Sequence, residues 1–229
     1  MAIVIGFDLD QTLYPKSPLI DEAIQSYIYG VIAKRKQIPL DEARKLFLAQ
    51  YPTISGRKTL LLLGFDDAEQ IIQESLERAE IEPFLKPDPE VLDLLCELQQ
   101  TYGGLTLITG SSAEIARRKL SKLGLPVSLF SVMITGEVSK SDGTAFRIWM
   151  AQEQAKNPAL NASDFLYVGD RPSTDVEIPA SLGMRSVLVN VKKIDVALKV
   201  PQLGSLLELR HYLSGEQKLA KIEQTRLKQ

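Results

Sequence analysis

The 229-residue chain carries one cysteine and one histidine. Cys96 has no partner for an internal disulfide. In the apolar helical pattern around it (LDLLCEL) it reads as a buried, inert thiol. A lone His211 excludes any two-histidine metal site, and its place near a charged C-terminal tail assigns it no role. Long apolar runs are missing as well. The longest, Leu60–Leu63 followed by Gly64 and Phe65, is far short of the roughly 20 residues that span a bilayer. The apolar start MAIVIGF has no basic n-region and runs directly into Asp8. Charge of one sign is also lacking: 27 basic against 29 acidic residues leave a net −2. Nucleic acid and anionic membranes favour a basic surface, so neither is expected as a partner. The reading is a soluble, cytoplasmic protein.

What is present is ordinary globular material. Hydrophobic residues make up 45% and charged residues 24%, which excludes a disordered chain and a coiled coil. At about 150 residues per domain the length suits one domain with a sizeable insertion. Five short apolar runs, Ile3–Phe7, Leu105–Ile108, Val132–Thr135, Phe165–Val168 and Ser186–Val189, are continuous rather than alternating. Such runs fit strands covered on both faces of a parallel sheet. Helical patterns lie between them, so the fold class is α/β, a doubly wound, Rossmann-like sheet with right-handed crossovers.

One gap is too long for a single crossover. From Tyr14 to Lys86 strand-like runs vanish and helical periodicity takes over, as in Ile20–Lys36, Leu40–Tyr51 and Asp67–Ala79. Residues 14–86 therefore read as an all-helical insertion, with 1–13 and 87–229 forming the α/β core. Leu60–Leu63 is expected in the insertion's core, and Ser55-Gly56-Arg57-Lys58 as a basic turn. The prolines at 83, 87 and 89 mark the return to the core. Ser111 with Glu114 reads as a capping box that opens a helix ending at Gly124. Pro179 must fall in the first turn of its helix or kink it. Phe146, Trp149 and Met150 have core spacing. The tail from Ser214 is polar and has little to bury.

Four places carry chemistry. In Phe7-Asp8-Leu9-Asp10-Gln11-Thr12 two carboxylates sit on one side of an extended segment at a strand's end. Ligands of open α/β sheets bind beyond such ends. Two close carboxylates call for a cation or a raised pKa, and an all-oxygen site that retains water suits Mg²⁺. Asp170 and Asp175 follow the fourth strand in Gly169-Asp170-Arg171-Pro172-Ser173-Thr174-Asp175. Thr109 with Gly110 and Ser111, at a helix N-terminus after the second strand, offer a hydroxyl and amides to phosphate oxygens. Lys140 follows the third strand. Taken singly, each also reads as a turn, a helix cap or a solvated charge. Taken in order on one rim, they supply what phosphoryl transfer requires.

In this set the chain resembles the haloacid dehalogenase-like (HAD) hydrolase superfamily. The strings around Asp8 and Leu85–Leu95 resemble its capped phosphatase branch related to pyrimidine 5′-nucleotidases. The resemblance implies Asp8 as nucleophile, Asp10 as acid/base, and Thr109, Gly110 and Lys140 as phosphate binders. It places the metal on Asp8, Asp10 (through its backbone carbonyl), Asp170 and Asp175. Lys86-Pro87-Asp88-Pro89 looks like the motif-three lysine segment, but it precedes the second strand, so that role falls to Lys140. An aspartate at position 10 implies phosphate esters, because a leaving alkoxide needs an acid and a halide does not. The resemblance thus implies an Mg²⁺-dependent phosphatase of a small phosphomonoester, a nucleotide or sugar phosphate, acting through an aspartyl-phosphate. It implies a cap in residues 14–86 with Tyr14 and Pro15 at the hinge. A phosphomutase, and a non-catalytic binding protein on the same scaffold, remain as alternatives.

Overall fold

The computed structural model describes residues 3–51, 54, 56–192 and 194–215. Most of the polar tail, and Ser55 of the expected basic turn, lie outside them. The chain divides into two compact units: one of Met1–Pro15 with Lys86–Gln229, the other Lys16–Leu85.

In the first unit, β1 (Val4–Phe7), β2 (Leu105–Ile108), β3 (Phe130–Ile134), β4 (Phe165–Gly169) and β5 (Arg185–Leu188) form a parallel sheet in the order β3-β2-β1-β4-β5. Four of the five fall within a residue of the expected runs. The third begins two residues early, at Phe130, where the register between Leu105 and Thr106 shifts. Strands β2 and β4 are buried along their whole length, which is why their sequences show no polar alternation. Three helices alternate with the strands: α5 (Pro89–Tyr102), α6 (Ala113–Lys122) and α7 (Thr144–Lys156). After β4 the chain makes a π-helical turn (Pro172–Glu177) and a short α8 (Ile178–Ser181). Pro179 sits in the first turn of α8, where its missing N–H costs nothing.

Phe146 and Trp149 are fully buried on α7, with Met150 packed beside them. Trp149 lies so close to β1 that a Cβ on Gly6 would come within 2.7 Å of its ring. Cys96 is half-buried on α5 rather than sealed in the core.

The second unit is all-helical. It comprises α1 (Pro18–Lys36), α2 (Leu40–Leu48), α3 (Gly56–Leu62) and α4 (Ala68–Arg78), with α1 against α2 and α4, and α3 against α4. Its core gathers Ile28, Ile32, Phe47, Leu60 and Ile71. The sequence expectation changes here in two respects. Gly56-Arg57-Lys58 is the first turn of α3, not a basic loop. Of Leu60–Leu63 only Leu60 is fully buried; Leu63 packs half-buried against the same core, and Leu62 is 68% exposed. Residues three apart share a helix face, and those between them point elsewhere.

Strand order reverses at β1, with β2 on one side and β4 on the other. A crevice opens beyond the carboxyl ends of the strands at such a switch point.

Candidate active site

The segment after β1 leaves the sheet with Asp8 N–H donating to the Val168 carbonyl at 2.9 Å. This bond fixes Asp8 beside the end of β4. The turn then winds tightly, with Leu13 N–H bonded to the Leu9 carbonyl, and Gln11 adopts a left-handed φ of 60°. Asn190, itself left-handed beyond β5, donates from Nδ2 to the carbonyls of Gln11 at 2.7 Å and Thr12 at 3.3 Å. The turn after β1 is thus clamped by the segment beyond β5.

Asp8, Asp170 and Asp175 are buried and each presents an oxygen within 4.8 Å of the others. Lys140 Nζ lies between two of them, 2.7 Å from Asp8 Oδ1 and 2.8 Å from Asp175 Oδ1. Asp175 is fully buried, yet every need of its carboxylate is met. Its Oδ2 accepts from the amides of Asp170 and Arg171 at 2.9 Å each, and its Oδ1 from the Thr174 hydroxyl. A Cβ on Gly169 would collide with this carboxylate, so the position before Asp170 admits only glycine in this arrangement. Thr12 donates to Asp8 Oδ2 at 3.2 Å.

The electrostatics follow from the packing. Burial pushes the Asp8 carboxyl up to about 7, with Lys140 pulling it down and Asp175, Asp10 and Asp170 adding to the rise. Burial also works against an ionised Asp175, but Lys140 and its hydrogen bonds hold that group below the ordinary carboxylate range. Burial disfavours the charged Lys140, yet Asp175 and Asp8 keep it firmly protonated. Lys140, and Arg171 at 4.0 Å from Asp170, set two cations against three carboxylates and leave negative charge in excess. An all-oxygen, buried, over-negative cluster fits a hard divalent cation.

Thr109, after β2, is buried, and its Oγ1 accepts from the Ser111 amide at 3.1 Å. Its hydroxyl proton is left to point at an acceptor. Gly136 brings the loop after β3 against Gly110, bonding its amide to the Ser111 carbonyl at 2.8 Å. Lys140 is presented by a turn that ends at left-handed Gly143.

Asp10 stands apart from the carboxylate cluster. Its Oδ1 accepts from Lys119 Nζ at 2.6 Å and from the Tyr14 hydroxyl at 2.7 Å, and its Oδ2 from the Ser111 hydroxyl at 2.9 Å. Lys119 also donates to Ser111 Oγ at 2.9 Å. Burial disfavours the ionised Asp10, but the Lys119 ammonium with these hydrogen bonds outweighs it and holds the carboxyl low. Ser111 is therefore not the N-cap of α6. Ser112 holds that position without a side-chain bond, and Glu114 reaches Arg118 instead of turning back. The terminus is served by Glu137, which accepts from the Ala113 amide.

Lys119, Asn190 and the Tyr14 hydroxyl were not expected at this site, and Ser111, expected beside Thr109 as part of a phosphate cradle, bonds Asp10 and Lys119 instead. Lys119 had a visible signal. It occupies the apolar face of α6 with Ala116, Leu120 and Leu123, and it is 2% exposed. A lysine on an apolar stripe must find an anion.

Such a rim gathers, at the switch point of an α/β sheet, a buried carboxylate cluster that could hold a metal ion. The model of the haloacid dehalogenase-like hydrolases matches residues 5–189. The chain is similar to the glyceraldehyde 3-phosphate phosphatase of Methanopyrus kandleri, with 28% identity over 199 residues covering 82% of this chain and 84% of that one. The protein of the same name from Methanocaldococcus jannaschii is 26% identical over 196 residues, covering 81% and 83%. Among solved structures, the HAD phosphatase from Thermococcus onnurineus shares the fold with a TM-score of 0.61 at 24% identity, covering 93% and 98%. The chain belongs to the haloacid dehalogenase-like hydrolase family and is a phosphoric monoester hydrolase. Among the described residues, no helix is long and apolar enough to cross a membrane.

Proposed function

We propose that this enzyme is an Mg²⁺-dependent, cytoplasmic phosphatase of a small sugar phosphate, acting through a phosphorylated Asp8. The observation that carries the reading is Lys140 set between Asp8 and Asp175, with Asp170 completing a buried oxygen cluster. Asp8, Asp170 and the Asp10 carbonyl would hold Mg²⁺, with Asp175 behind them. The ion would supply charge neutralisation for a dianion approaching a carboxylate.

An ionised Asp8 oxygen attacks phosphorus. The bond from phosphorus to the ester oxygen breaks, its electron pair stays on that oxygen, and Asp10 supplies the proton. Water then attacks the phosphorus, Asp10 takes the proton back, and the bond to Asp8 breaks to release inorganic phosphate. Lys140, the Thr109 hydroxyl and the amide of Gly110 stabilise the equatorial oxygens. Asp175 holds Lys140 in place. The helical unit Lys16–Leu85 serves as the cap that selects the substrate. The names of the two curated relatives favour a triose phosphate over the nucleotides that the resemblance to pyrimidine 5′-nucleotidases implies.

The test is phosphate release from p-nitrophenyl phosphate and from a panel headed by glyceraldehyde 3-phosphate, with Mg²⁺ and with EDTA, for wild type and Asp8→Asn. Metal-dependent release that the variant loses is the expected result. Isomerisation in excess of release would reassign the enzyme as a phosphomutase. A lack of turnover on every ester would point to a binding protein.

A further inference from the structure

Lys119 is the one lysine of α6 buried to 2%, and no step above uses it. Its ammonium, the Tyr14 hydroxyl and the Ser111 hydroxyl converge on a single carboxylate, that of Asp10. An ionised carboxylate offers about four lone-pair sites, two on each oxygen. Lys119 and Tyr14 occupy both sites of Oδ1. Ser111 occupies one site of Oδ2, and is itself oriented by Lys119 donating to its oxygen. One site on Oδ2 remains.

We propose that Lys119 is a positioning residue. With Tyr14 and Ser111 it locks the Asp10 carboxylate so that Oδ2 alone exchanges protons with the leaving oxygen and the attacking water. The proposal rests on the phosphatase reading above and adds the atom and the device that aims it. Geometry is the reason a lock is needed. Asp10 lies in the tight turn after β1, and a carboxylate on a short side chain rotates freely unless both oxygens are held. The donors approach from three different parts of the chain: the turn itself, the loop after β2, and the middle of α6. Their agreement on one group is costly to build, since a buried lysine must be fully paired. A proton donor misplaced by about an ångström loses on the order of a hundredfold in rate.

The experiment separates positioning from general damage through the leaving group. A p-nitrophenolate departs without a proton, whereas an alkoxide requires one. The parameter kcat/KM covers only steps up to that departure, so hydrolysis of the phosphoenzyme does not enter. Lys119→Met, Tyr14→Phe and Ser111→Ala are compared with wild type on p-nitrophenyl phosphate and on glycerol 3-phosphate. For Lys119→Met we expect kcat/KM on the alkyl ester to fall roughly a hundredfold or more, the scale of a lost general acid. The fall on the aryl ester should stay within about tenfold. Lys119→Met added to Asp10→Asn should cost little more than Asp10→Asn alone, because the lock has nothing left to aim. Equal losses on both esters, or full additivity with Asp10→Asn, overturn the proposal while leaving the phosphatase reading intact. Should Lys119→Met fail to fold, Tyr14→Phe and Ser111→Ala each release one lone pair and must show the same leaving-group bias. A wild type inactive on both esters and on the whole panel above sinks the two readings together.

Discussion

Removing the Asp8 charge should stabilise the metal-free protein in one pH window only. Asp8 is buried, and its carboxyl is carried from the ordinary 3.8 up to about 7. A group harder to ionise folded than unfolded contributes stability that is fully present below its unfolded value. That stability is lost as pH rises toward about 7 and is level above it. At about 1.4 kcal/mol per pH unit the whole loss is on the order of 4 kcal/mol. The part falling between pH 5 and 8 is roughly 2–3 kcal/mol. For a chain of this size that corresponds to roughly 5–10 °C in Tm. Asp10 and Asp175 have the opposite sign: their carboxyls are lowered, so their contribution is lost only on acidification below 3.8. They do not interfere in the window chosen. The assay is thermal unfolding in EDTA at pH 5 and pH 8 for wild type and Asp8→Asn, followed by titration with Mg²⁺. Wild type should lose more Tm than the variant between the two pH values, and Mg²⁺ should restore wild type far more than the variant. If both proteins lose the same amount in EDTA, Asp8 is not held under the strain its burial implies, and the reasoning is wrong.

Gly169→Ala should abolish turnover with the fold retained, because the added methyl displaces the Asp175 carboxylate and frees Lys140; circular dichroism beside a phosphate-release assay checks it. Gly6→Ala drives a methyl into the Trp149 ring and should cost about 1–3 kcal/mol of stability, read by urea unfolding. Phe47→Ala empties the centre of the helical unit, where Tyr29 and Tyr51 pack on the ring, and should cost about 3–5 kcal/mol there. Amide exchange should show that loss confined to the helices between Lys16 and Leu85.

The core sheet was legible because continuous β-branched and aliphatic runs have few alternatives in a globular chain. Helix α3 was less so. Gly56 is a poor helix former, and an Arg-Lys pair beside it looks like solvated loop, yet Leu60 packing into the helical unit decides the matter. Tertiary burial overrode local propensity. The carboxylates and Lys140 were legible because each follows a strand, and strand ends converge in this topology. Ser111 misled for a physical reason: a serine three residues before a glutamate satisfies the capping pattern locally, but a buried lysine eight residues further along competes for its hydroxyl. No local rule anticipates a contact across 101 residues such as Ser111 with Asp10. Asn190, 179 residues from Gln11, was hidden in the same way.

The two lysines divide three of the four aspartates, and Arg171 faces the fourth, Asp170, at 4.0 Å. Lys140 serves Asp8 and Asp175, while Lys119 serves Asp10. Without a cation this arrangement favours a proton on Asp8 and none on Asp10, the reverse of what a nucleophile and an acid require. On the proposed mechanism, charge on the incoming partners would remove the inversion. Asp8 would give up its proton when a cation neutralised the cluster, and Asp10 would gain affinity for one when a phosphate dianion entered beside it. Mg²⁺ binding near pH 7 should therefore release a fraction of a proton per site. It should release almost none at pH 9, where Asp8 is already ionised, and Asp8→Asn should abolish the release. Titration calorimetry in two buffers of different ionisation enthalpy measures the quantity directly, and equal proton release at both pH values would show that Asp8 does not carry it.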